Sequence, residues 1–435
     1  MAASRAPPST PTAAADGGIE ENAMAILDSS GIKDSRDLHE DRATFLEAVR
    51  SACLSADNPS APSWRMYDGV FQVFRNSSSL ELAVASFQLL MELGKKYPRT
   101  YLTDSGGHQS LVVVKESWLP FLIGNGSASS EIGGNARSSD HLFDPSAIKN
   151  MMLFQYLVNT LEADFVPRHI AYKESLDWVI FRESLLNMLL GSRKLVFKSF
   201  VRSCIHLLLN QSKGEARSAS DLDSSLSYSS LESERTLASL RKLFVMIMEL
   251  DLIRKEADTL GLTSRADGFR NPIMEVILDD LTYNTSYLSP FLLAFVEWKW
   301  KLEIILQYFS KYCGKGTVRT RRSDNSQQDL KLESVLSFFL TDTSTKAIVK
   351  KMGAEVAQLL LAHAYLVCMS VQGNSSDSTA TTDKIGGSLH EISCNFISAF
   401  RNLRKVSPDT QISQFEKGAL ITAATLTRNL KNEQR

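Results

Sequence analysis

The tetrapeptide Gly314-Lys315-Gly316-Thr317 is the part of the chain that most resembles catalytic machinery, because it looks like the end of a phosphate-binding loop. Such a loop wraps phosphates in backbone N–H groups. It needs a glycine five residues before its last Gly, and a Lys followed directly by Ser or Thr. Position 309 is Phe, Lys315 is followed by Gly316, and no strand pattern precedes it, so nucleotide binding is not expected. Gly124-Asn125-Gly126 lacks the third glycine and the following helix of a dinucleotide fingerprint. The seven histidines are scattered. Cys204 and His206, two residues apart on a helix, face away from each other, and His363 and His390 stand alone. No G-x-S-x-G nucleophile turn occurs. The carboxylates Asp279-Asp280, and Glu162 with Asp164, read as polar positions of amphipathic helices. No cofactor or metal is expected.

One charged cluster remains. Lys315, Arg319, Arg321 and Arg322 fall within eight residues, between two apolar helical segments. Four readings stay open for it: a solvated loop, a docking surface for an acidic partner, a contact to phosphates, or a nuclear import signal.

The elements that would position this cluster follow from apolar spacing of three and four residues. Leu38, Phe45, Leu46, Val49 and Cys53 form one stripe, and Tyr67, Val70, Phe71 and Phe74 a second. Leu80, Val84, Phe87, Leu90 and Met91 form a third, ended by Gly94, Lys95-Lys96 and Pro98. Further stripes run through Met152, Tyr156 and Leu157, through Trp178, Phe181, Leu185, Met188 and Leu189, and through Val196, Phe200, Val201, Cys204 and Leu207, the last capped by Ser192. Leu237, Leu240, Phe244, Ile247 and Leu250 mark a long helix. Pro272 opens another that buries Met274, Ile277, Leu278 and Leu281. From Tyr287 to Tyr312 the chain is apolar nearly all round, as in a helix buried on several sides. Helices are expected again at about 328–340, 344–371, 386–405 and 411–430. Leu111-Val112-Val113-Val114 is the only β-like run. The fold class is therefore all-α: stacked helical hairpins in an armadillo- or HEAT-like solenoid with degenerate repeats.

At 435 residues the chain exceeds the roughly 250–300 that one core usually serves. The expected division is a disordered tail 1–18, an N-terminal helical lobe 19–211 with an exposed loop 124–140, a Ser-rich linker 212–230, and a C-terminal lobe 231–435 interrupted by a linker 372–384. The net charge of −1 argues against attraction of the whole chain to nucleic acid. Residues 311–435, however, hold 17 Lys+Arg against 11 Asp+Glu, a balance of +6. Five cysteines with no two close together fit free thiols in a reducing compartment. No uninterrupted run of 18 apolar residues is present, so no membrane span is expected.

Several blocks resemble the plant negative regulators of systemic acquired resistance, the SNI family. They begin with Lys33-Asp34-Ser35-Arg36-Asp37, Glu40-Asp41-Arg42 and Leu46-Glu47-Ala48-Val49-Arg50. They continue through Ala85-Ser86-Phe87-Gln88-Leu89-Leu90 and Val245-Met246-Ile247-Met248-Glu249-Leu250-Asp251. They are densest from Thr263-Ser264-Arg265 and Asp267-Gly268 to Leu278-Asp279-Asp280-Leu281-Thr282-Tyr283, and include Trp300-Lys301-Leu302-Glu303-Ile304 and Val318-Arg319-Thr320-Arg321-Arg322. The resemblance implies a nuclear, non-catalytic, armadillo-type scaffold that restrains defence-gene expression and recombination. It also implies a place among the non-SMC elements of the DNA-repair SMC complex, the five–six heterodimer, in the sixth position beside a fifth-element partner. A sequence-independent DNA-binding module and a stand-alone transcriptional corepressor remain as alternatives, with no small-molecule substrate in either.

Overall fold

The computed structural model describes residues 25, 35–55, 60–98, 145–191, 196–214, 226–264, 267, 273–313, 330–373 and 388–433. Among them are sixteen α-helices and no strand, in agreement with an all-α fold. Contacts divide the chain into two compact units, one of residues 1–203 and 219–270, the other of 204–218 and 271–435. The tail 1–18, the loop 124–140 and the β-like run at 111–114 lie outside the described residues, as do Ser192, Pro272 and most of both proposed linkers.

The first unit begins with α1 (Ser35–Arg50), which runs into a π-helical turn at Ser51–Ser55, then α2 (Trp64–Asn76) and α3 (Leu80–Lys96). Ser63 starts α2 by accepting the Met66 N–H on its hydroxyl (3.3 Å). Phe45, Val49, Cys53, Val70, Phe74, Leu89 and Leu93 meet in the core between these helices. The carbonyl of Cys53 in the π-turn is satisfied by Tyr97 OH (2.9 Å) and Lys96 Nζ (3.0 Å). On α3 the fully buried set is Leu82, Ala83, Ser86, Leu89, Leu90 and Leu93. Of the stripe expected from spacing, only Leu90 belongs to it. The helix is apolar over most of its circumference and packs against α1, α2 and the following helix, so period alone does not select its innermost face.

That following helix, α4 (Pro145–Ser175), pairs with α8 (Leu226–Thr259). Cross-contacts advance together along both: Gln155 meets Glu232 and Thr236 (3.0 and 3.1 Å), Glu162 pairs with Lys242 (2.7 Å), His169 with Glu249 (3.6 Å), and Tyr172 with Glu256 (3.4 Å). The two helices therefore run parallel, not as a hairpin, and residues 231–259 belong to the unit of the N-terminal helices. The sequence reading had assigned 231 onward to the C-terminal lobe. The chain crosses over through α5 (Val179–Arg182), α6 (Leu185–Leu190) and α7 (Phe197–Gly214). Two side chains of α4 hold the start of this crossover. Asp164 accepts the Leu185 N–H (2.8 Å), and Arg168 donates to the Ile180 carbonyl (2.7 Å). Met188 and Val196, expected in apolar stripes, are exposed. Met188 lies in the six-residue α6, and Val196 lies just before α7 begins.

The crossover carries a buried clasp. Trp178 Nε1 donates to Asp267 Oδ2 (3.2 Å), and Arg254 lies over the Trp178 ring (5.2 Å) while donating to the Asp267 carbonyl (2.6 Å). The Asp267 carboxylate also accepts the Ser264 N–H (2.6 Å) and hydroxyl (2.9 Å). These bonds to its charged form, led by the Ser264 amide, lower its pKa.

In the second unit follow α9 (Ile273–Tyr283), α10 (Leu288–Ala294), α11 (Trp298–Cys313), α12 (Leu332–Ser337), α13 (Asp342–Met352), α14 (Ala354–Gly373), α15 (Leu389–Val406) and α16 (Gln414–Glu433). The apolar stretch 287–312 is two helices, not one, because the backbone is extended at Phe295. Similarly, 344–371 divides at Gly353, whose φ of 85° is open to glycine and strained for other residues. The Ala354–Val371 stretch of α14 has the length and mean hydropathy (1.5) of a membrane span, but 67% of it is buried within the fold. It packs against α11, α13, α15 and α16 as a core helix.

Asp267→Ala is expected to destabilise the first unit by about 1–3 kcal/mol, since it leaves the buried Trp178 Nε1–H without its acceptor. A depressed carboxylate pKa contributes stability above its unfolded value of about 3.9 and loses it as pH falls through the folded value. Asp267→Asn should accordingly flatten the acid limb of stability against pH below about 4. Denaturant melts at stepped pH measure both effects, and an unchanged acid limb would remove the clasp's charge from the account.

Candidate partner-binding surface

Lys315, Arg319, Arg321 and Arg322 lie outside the described residues. The structure does describe how both ends of their segment are held. On the N-terminal side, α11 delivers Tyr312, whose hydroxyl donates to Thr282 Oγ1 (2.8 Å) and whose carbonyl accepts from Lys351 Nζ (3.1 Å). Lys311 pairs with Asp279 (2.9 Å) one residue earlier. The Cys313 thiol is pushed up to about 12, chiefly by burial. On the C-terminal side, α12 buries Leu332, Val335 and Leu336, and the Phe309 and Phe339 rings meet edge-on at 5.9 Å. Asn402 of α15 donates to the Phe339 carbonyl (2.8 Å). The basic segment thus leaves and re-enters one packed region.

Around that base stand cations that the sequence reading did not single out. Lys346, Lys350 and Lys351 are exposed on α13, and Arg401, Arg404 and Lys405 on α15. The available signal was the i, i+4 spacing of Lys346 and Lys350, which puts both on one helical face. Lys350-Lys351 and Arg404-Lys405 also occupy last turns, where cations complement the carbonyl end of a helix.

The carboxylates considered for chemistry have structural tasks. Asp164 holds the crossover, Glu162 pairs with Lys242, and Asp279 pairs with Lys311. Asp280 is buried. His206 packs edge-on against Tyr287 at 5.8 Å, and among the described residues no group of three His, Cys, Asp or Glu is placed to hold a metal ion. His363, on α14, is buried beneath Phe415 (4.3 Å) and shares a hydrogen bond with Ser289 (3.1 Å). Burial, aided by the charge of Lys301, lowers its pKa to about 4. His390 is not alone: it touches Cys394 at 3.8 Å.

Family models for the SNI1 middle domain and the SNI1 C-terminal domain match residues 146–297 and 313–431. The chain is similar to the Arabidopsis thaliana protein "Negative regulator of systemic acquired resistance SNI1", with 40% identity over 429 residues, 95% of each chain. No solved structure matches.

His363 predicts a pH response in the second unit. A folded pKa of about 4 against an unfolded value near 6.5 means that the unfolded chain binds the proton first. Stability is full above about 6.5 and declines as pH falls from there to about 4. His363→Gln should remove that component of the slope in melts between those limits, and an identical slope in the variant would sink the assignment.

Proposed function

The chain belongs to the SNI1 family, and from that premise we propose that it is a negative regulator of systemic acquired resistance. The observation that carries this reading is the 40% identity along 95% of both chains to a relative named for that role. Identity over so much of the chain leaves little room for a different division of labour among its parts.

The proposed mechanism is surface recognition by a nuclear, non-catalytic scaffold. Apolar helix faces stack into rigid units, and exposed side chains hold partners. The resemblance of the sequence blocks supports the partner class: subunits of the five–six SMC complex, including a fifth non-SMC element, with effects on DNA repair and recombination. The charge pattern supports an acidic docking region opposite the basic segment 315–322, because exposed cations on α13 and α15 extend that field. A second reading, sequence-independent DNA contact through the same region, is favoured by the +6 balance of residues 311–435.

Capture of tagged, full-length protein from plant nuclei should recover SMC subunits and the fifth element. Recovery of none would turn the reading toward a corepressor outside that complex. Arg319→Ala, Arg321→Ala and Arg322→Ala together should leave the melting temperature unchanged and weaken partner capture. Capture equal to wild type would return the segment to a solvated loop. Titration of duplex DNA across a salt series separates the second reading, which requires binding that falls steeply with salt and ignores sequence.

A further inference from the structure

Three of the five thiols are closed to solvent, and a fourth is held protonated. Cys53, Cys204 and Cys368 are buried, and Cys313 is half-buried with its thiol pushed up to about 12. Burial also raises the Cys204 thiol and pushes Cys368 to about 11. A thiol held protonated in this way is a poor nucleophile.

Cys394 is half-buried on α15, as Cys313 is on α11, and it differs in its neighbour. His390, one turn earlier on the same helix, places its ring nitrogens 3.8 and 4.0 Å from Sγ, where the imidazole can serve as a base. The i, i+4 spacing holds the two side chains on one face without any loop to position them. Ser388 caps α15 by accepting the Glu391 N–H (3.2 Å), so the turn that carries His390 is fixed. The pair sits on a helix against which α12, α13, α14 and α16 all pack.

We propose that the Cys394–His390 pair is a modification site at which peroxide oxidises the Cys394 thiol to a sulfenic acid. His390 takes the thiol proton, and the sulfur attacks one oxygen of hydrogen peroxide. The O–O bond breaks, and the departing hydroxide leaves as water with the proton from the imidazole. Cys394 thiol and hydrogen peroxide become sulfenic acid and water, with the sulfur oxidised by two electrons and the peroxide reduced by two.

The test treats the full-length folded protein with dilute hydrogen peroxide, traps sulfenic acid with dimedone, and follows each cysteine by peptide mass spectrometry. Cys394 should label first and fastest, with Cys313 slow and Cys53, Cys204 and Cys368 silent until denaturant is added. His390→Gln should slow Cys394 labelling several-fold while the three buried thiols stay silent. Those thiols also report unfolding, so a slowed Cys394 with silent buried cysteines reflects the lost base and not a damaged fold. If His390→Gln exposes the buried thiols, His390→Asn is scored by the same criterion, with wild-type site order deciding if both unfold. The proposal fails if Cys313 labels before Cys394, or if a folded His390 variant labels Cys394 at the wild-type rate.

Discussion

Everything in the first unit depends on α4 and α8 lying side by side and parallel. Helices of 31 and 34 residues extend roughly 45–50 Å, and no single neighbour of ordinary length could cover either. Each buries a long row of apolar side chains, and the other helix is its main cover. Parallel pairing imposes a topological demand: the chain must travel back the length of α4 before α8 begins. The crossover that meets it starts with α5 and α6, directly after α4. Asp164, Arg168 and the Trp178–Asp267–Arg254 clasp attach that crossover to the pair at the end where α4 finishes. At this site the buried Trp178 Nε1 and the Asp267 carboxylate are matched donor to acceptor, which lowers the penalty of burying them.

The second unit solves the same problem around α14. That helix is apolar enough to pass for a membrane span, and it is covered by four others. Its polar side chains are placed where the covering helices supply partners. Tyr365 stacks on Phe396 at 4.5 Å while its hydroxyl meets Ser393 at 3.0 Å, and His363 is boxed in by Phe415 and Ser289. A neutral imidazole fits that apolar box where a charged one would not.

Helix type was legible because spacing reports it directly. Leu237, Leu240, Phe244, Ile247 and Leu250 are all buried as their period requires, and so are Met274, Ile277, Leu278 and Leu281. Where apolar residues surround a helix the period loses its information, which is why the α3 stripe marks partly buried core contacts and includes only Leu90 of the innermost set. The helix break at Phe295 and the one at Gly353 have no strong local marker beyond a single glycine. The parallel partnership of α4 and α8 was invisible, since it is encoded in pairs about eighty residues apart and no stripe announces its partner. The basic cluster at 315–322 was conspicuous for the opposite reason: charge in a short window is a local property. The lysines of α13 and the Cys394–His390 contact were passed over because each looks ordinary until the helix face around it is known.

The distribution of tasks among polar residues bears on how such a chain can act. Buried Glu232 and Asp267 and the buried His363 are occupied in holding helices together, through bonds that would have to break before those groups could serve a ligand. Near the base of the basic segment, Lys351 fastens Tyr312, while Lys346, Lys350, Arg401 and Arg404 face solvent. Rigid anchorage beneath a charged surface lowers the ordering cost of an encounter, and charge complementarity sets its rate and partner choice more than its strength. Cations carried on packed helices are the feature that the proposed recognition of a partner's surface would use.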